Sequence, residues 1–151
     1  MTSTKVETST KEVAALLGGE MVFRRRIFEQ HEMREALRKG LPYPALESLA
    51  SVMELKATEL TKIIGIAPRT LARRKEAKGV FNAVESDRLY RLARIVSLAI
   101  EVLNSKEKAR EWLMRPNRAL GGEAPLSLLD TDIGAKQVEE VLGRIAYGVY
   151  S

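Results

Sequence analysis

Residues 109–151 read AREWLMRPNRALGGEAPLSLLDTDIGAKQVEEVLGRIAYGVYS. Helical spacing opens and closes this stretch, and turn chemistry fills its middle. Ala109, Trp112 and Leu113 share one face of a helix at about 105–113 and are expected to anchor a local core. Pro116-Asn117, Gly121-Gly122 and Pro125 then break the pattern into a loop from Arg115 to Pro125. Leu128, Leu129, Val138, Val141, Leu142 and Ile145 resume the apolar stripe, with Thr131 or Asp132 placed to cap a last helix over about 132–147. The stretch pairs no nucleophile with a base and holds no metal cluster and no phosphate-binding glycine loop; Gly121-Gly122 is too short for one. Its carboxylates, Glu139 and Glu140 among them, read as the wet face of a helix.

Upstream the spacing stays helical and no alternating run is long enough for a strand, so the expected class is all-α. Ser9 with Glu12 suggests a capping box ahead of Val13, Leu16 and Leu17, stopped by Gly18-Gly19. A second helix is expected over Phe28–Lys39, ended by Gly40 and Pro42. From Pro44, the residues Leu46, Leu49, Ala50 and Met53 mark a third, and Leu60, Ile63 and Ile64 a fourth. A long helix from about Ser86 to Leu103 carries two apolar stripes: Leu89, Leu92, Ala93, Val96, Ala99, Ile100 and Leu103 on one, Ile95, Leu98 and Val102 on the other. A surface helix needs only one stripe, so this helix is either central to the fold or buries a face against another subunit.

Composition narrows the function. At 151 residues the chain suits one compact domain or two small ones. With no cysteine and a single histidine, His31, it lacks both a disulfide framework and the usual zinc ligands. No uncharged apolar stretch, Ile95 to Ile100 included, comes near the roughly 20 residues that span a bilayer. The start shows no signal-peptide pattern, and the expected location is the cytoplasm of a bacterium, with no membrane partner. The net charge of +5 is unevenly placed: residues 1–20 carry −1, 21–40 carry +3, 41–80 carry +3, and 81–151 are neutral. The run Arg24-Arg25-Arg26 reads as a solvated face. The excess beside it lies where phosphates would be met.

A DNA-reading helix pair needs a bracing helix, a tight turn and a second helix that starts with short polar or basic side chains. Leu60 and Ile64 can face inward, Gly65 can turn left-handed, Ile66 and Leu71 can plug the core, and Pro68 suits a first helical turn. Arg69, Thr70, Arg73, Arg74 and Lys75 are left for nucleic acid. Arg can grip guanine O6 and N7 bidentately, and Lys75 is better suited to phosphate.

The segment Gly65 to Arg74 is similar to the helix-turn-helix of the Xre/MbcA/ParS bacterial antitoxins. The C-terminal stretch resembles their toxin-binding domain, through Trp112, Leu113, Pro116, Asn117, Leu120, Gly122, Pro125, Leu128, Leu129, Thr131, Gly134, Val138, Leu142, Arg144, Ile145 and Gly148. Together the matches cover roughly residues 40–151. Thr61 stands where such motifs usually place Ala, and Ala67 replaces a side-chain cap. The resemblance implies a type II antitoxin that covers the NAD-binding site of a RES-domain toxin and represses its own operon as a homodimer on operator DNA. It also implies a division into an N-terminal helical extension (1–40), an Xre-like DNA-binding region (41–82) and a toxin-binding domain (83–151). Loop residues Asn117, Arg118, Leu120 and Gly122 are the expected toxin contacts, joined by the terminal Gly148, Val149, Tyr150 and Ser151 with its free carboxylate. No cofactor, metal or catalytic residue is expected. A different class remains open: a stand-alone regulator whose C-terminal half only dimerises or senses a ligand.

Overall fold

The computed structural model describes residues 7–148. Among these the chain is helical, with no strand beyond an isolated antiparallel bridge between Pro42 and Val80. The helices are α1 (Thr10–Leu16), α2 (Glu20–Phe23), α3 (Gln30–Lys39), α4 (Tyr43–Val52), α5 (Thr61–Ile64), α6 (Pro68–Glu76), α7 (Ala83–Leu103), α8 (Lys106–Met114) and α9 (Asp132–Ala146). Short 3-10 turns fall at Ala57–Leu60, Arg118–Leu120 and Pro125–Leu128. Two compact units form, divided between Ala93 and Arg94, so α7 contributes to both.

In the N-terminal unit, Ser9 caps α1 by accepting from the Glu12 N–H at 3.1 Å. Val13, Ala14, Leu16 and Leu17 are buried behind it. The second helix starts later than expected, at Gln30, because Glu32 Oε1 accepts from the N–H groups of Phe28 and Glu29 at 3.2 and 3.0 Å and holds the chain there. Its pattern also omits α2, a single turn too short to show periodicity. Around the helix-turn-helix the backbone closes on itself: Phe81 N–H donates to Leu41 C=O at 2.8 Å, and Leu41 N–H donates to Ser86 Oγ at 2.9 Å. Gly40 sits at this latch with φ 99, and a Cβ there would meet the Phe81 carbonyl at 2.3 Å. Leu46, Leu49, Leu60, Ile64, Leu71, Phe81, Leu89 and Leu92 form the core that the latch encloses.

Helix α7 spans 21 residues, about 30 Å. Its start is fixed reciprocally, Glu85 N–H donating to Asn82 Oδ1 at 2.8 Å and Asn82 N–H to Glu85 Oε1 at 2.9 Å. This cap places the start three residues before the expected Ser86. Leu92, Ala93, Ile95, Val96, Ser97, Leu98 and Ala99 are all buried. Of the second stripe, Ile95 and Leu98 are therefore covered within the chain, while Val102 is half-buried.

In the C-terminal unit, Ser105 caps α8 and Thr131 caps α9, the latter accepting from Gly134 N–H at 2.9 Å. Ala109 and Leu113 of α8 meet the buried Leu126, Leu129, Ala135, Val138 and Leu142 as one apolar core. A Cβ on Gly134 would lie 1.9 Å from the Leu128 carbonyl, so α9 can pack onto the turn at 125–128 only through a glycine.

Candidate functional surfaces

The first surface is built on α5 and α6. Gly65 ends α5 at φ 77, ψ 37, the left-handed conformation that Gly adopts without strain. Arg88 of α7 donates to the Ile64 carbonyl at 3.2 Å and caps the same end. Thr61 explains its own departure from the usual Ala, since its buried hydroxyl donates to the Thr58 carbonyl at 2.6 Å. Ala67 caps α6 without a side-chain bond, but Pro68 follows at the first turn and has no N–H to satisfy.

Leu71 is the buried residue of α6 and pins it to the core. Arg69 and Arg73, one turn apart, are exposed and form no ion pair among the described residues; Thr70 beside them is half-buried. Arg74 differs from the sequence expectation. Its guanidinium pairs with Glu85, whose side chain is 11% exposed, and lies 5.8 Å from the centre of the Phe81 ring. Lys75 stands over the Tyr43 ring at 5.8 Å, with Glu47 at 3.9 Å. Arg74 thus ties the outer end of α6 to its own scaffold, while Arg69, Arg73 and Lys75 are exposed, with Thr70 half-buried beside them.

The second surface lies on the loop after α8. Asn117 organises it: its Oδ1 accepts from Ala119 N–H at 3.0 Å, its carbonyl from Gly122 N–H at 2.9 Å, and its N–H donates to the Glu123 carbonyl at 3.0 Å. Leu120 is buried, which corrects the expectation of a projecting side chain. The loop turns over at Gly121 and Gly122, and that turn points Leu120 into the core. Arg118 and Gly122 are exposed, and no atom lies within 4 Å of where a Gly122 Cβ would stand. Gly148 is exposed at φ 68; Val149, Tyr150 and Ser151 lie outside the described residues.

Trp112, expected in the core with Leu113, is only half-buried. It lines a cleft of about 310 Å³ with Leu103, Lys108, Arg115 and Asn117. Helical spacing could not separate it from its buried neighbours, because a residue at the edge of the apolar arc has the same period as one at its centre. Ile133, in the first turn of α9, and Tyr147, just past its end, are exposed, and the apolar count of that helix did not single them out. Among the described residues no group of three or more His, Cys, Asp or Glu is placed to hold a metal ion, and no helix is long and apolar enough to cross a membrane.

Two family matches divide the chain much as these surfaces do. Residues 32–94 match the antitoxin Xre-like helix-turn-helix domain. Residues 98–148 match the antitoxin Xre/MbcA/ParS C-terminal toxin-binding domain. An antitoxin Xre of Photorhabdus laumondii is 37% identical over 116 residues, covering 76% of this chain and 78% of that protein. The chain belongs to the Xre antitoxin family. A second antitoxin Xre, from Yersinia enterocolitica, is 31% identical over 118 residues, covering 78% of this chain and 80% of its own length. A third, from Pseudomonas putida, is 36% identical over 135 residues, covering 78% and 85%. Among solved structures, a chain of the M. tuberculosis MbcT-MbcA toxin-antitoxin complex is 25% identical, with TM-score 0.54, covering 70% of this chain and 94% of that one. As an Xre antitoxin the chain carries a toxin-binding domain on α8, the following loop and α9, and a helix-turn-helix on α5 and α6.

Proposed function

We propose that this Xre antitoxin neutralises a RES-domain toxin that consumes NAD, covering the toxin's active site with its C-terminal region, and that it represses its own operon as a dimer. The observation that carries this reading is the presence in one chain of a toxin-binding match over 98–148 and an α6 whose Arg69 and Arg73 form no ion pair among the described residues. The RES and NAD parts follow from the family resemblance. The named relatives support the antitoxin role.

On DNA, Arg69 and Arg73 would read base edges or phosphates from the start of α6, with Thr70 between them. Arg74 would keep the helix at its angle, and Lys75 would meet phosphate. Two such helices, about one helical turn of DNA apart, would address a two-fold operator. On the toxin, Asn117 holds the loop so that Arg118 and Gly122 face outward. Residues 148–151 would extend from the end of α9 into the cleft that admits NAD.

Co-expression with the product of the neighbouring gene tests the whole reading. A stable complex with a protein that depletes NAD when expressed alone is the expected result. No complex, from a neighbour harmless on its own, would instead favour a stand-alone regulator.

A further inference from the structure

From a groove between α3 and the start of α7, we infer the face through which two copies of this chain pair. The inference rests on the dimer in the proposed function and assigns it a surface. The groove has a volume of about 500 Å³ and lies wholly within the N-terminal unit. Met33 and Leu37 of α3 and Ala83 of α7 give it an apolar lining. Arg34 and Arg38, one turn apart on α3, stand on one side, and Asp87 of α7 on the other. None of these three charges forms an ion pair among the described residues. On the same stretch, Val84 and Val80 are 58% and 51% exposed.

One copy therefore presents both halves of an interface: an apolar knob with an anion beside it, and an apolar groove edged by two cations. A two-fold axis brings each half against the other twice, the arrangement of an isologous contact. Val84 of each copy enters the groove of its mate, and Asp87 meets Arg34 and Arg38 across the axis. Ile95 and Leu98 of the second α7 stripe are not available for pairing, being buried within the chain.

The test is the mass of the full chain in solution, by light scattering and sedimentation, for the wild type and three variants. Asp87→Arg alone, and Arg34→Asp with Arg38→Asp, should each weaken the dimer by at least about tenfold, since each sets like charges together. The triple variant should restore it. All the changed side chains are at the surface, and thermal unfolding checks that each variant is folded. A dimer indifferent to both reversals, or not restored by the triple change, overturns this face but leaves dimeric operator binding standing. A wild type that stays monomeric, alone and on operator DNA, overturns the dimer itself. Capture of the toxin and depletion of NAD are read separately, so failure here is distinct from failure of the antitoxin reading.

Discussion

Arg73 and Arg74 are adjacent in the chain and do opposite work. Arg73 reaches solvent, whereas Arg74 neutralises Glu85 at the start of α7 and covers the Phe81 ring. Removing Arg74 leaves a nearly buried carboxylate with one fewer partner, so Arg74→Ala should cost about 1–2 kcal/mol of stability, seen as a lower denaturant midpoint. Arg69→Ala and Arg73→Ala should leave the midpoint within about 0.5 kcal/mol and weaken operator binding instead, by roughly tenfold or more for a bidentate base contact. Tyr43, at the foot of α6, gives a pH signature. Burial, with the nearby Glu47 charge second, raises its pKa above the ordinary tyrosine value. The folded state thus holds this proton more tightly than the unfolded chain does. The stabilisation is fully present below the unfolded pKa near 10 and is lost as pH rises through the folded value. Above pH 10 the wild type should therefore lose stability faster than Tyr43→Phe, measured by urea unfolding at each pH.

At the scale of elements, ends were more legible than partners. Ser9, Gly65, Pro68 and Thr131 act where local chemistry places them, since a cap bonds within three residues of itself. The Arg74–Glu85 pair was not legible, because Glu85 lies on another helix, which neither periodicity nor charge counting can bring near. Leu120 was expected to project because loop residues usually do, and its burial depends on a turn completed by two glycines in the left-handed region. The same dependence on fit makes α9 sensitive at its start. Gly134→Ala drives a methyl group into the Leu128 carbonyl and should destabilise the C-terminal unit by about 2–3 kcal/mol. Its readout is loss of toxin neutralisation at elevated temperature while the fold of residues 9–93 survives, followed by proteolysis.

For the whole molecule the two surfaces rest on separate cores, which predicts separable losses. Truncation after Leu142 should abolish neutralisation while leaving DNA binding intact. Because that cut also shortens α9, a second truncation after Gly148 keeps the described helix whole and asks about the last three residues alone. Neutralisation that persists in both would remove the terminus from the toxin contact. The all-α class was legible throughout, because apolar periodicity survives any arrangement of helices. The burial of α7 from Leu92 to Ala99 on both stripes was not, since the same pattern fits a core helix and a subunit seam until the neighbours are known.

The Leu41–Phe81 latch has a consequence for how such proteins diversify. The chain enters and leaves the helix-turn-helix segment at the same point, held by the Leu41, Phe81 and Ser86 bonds and the close fit at Gly40. A segment whose two ends already touch can be exchanged for that of a relative without moving the chain on either side. Operator choice could then change by recombination at the latch while toxin choice stays as it was, and each could be inherited on its own.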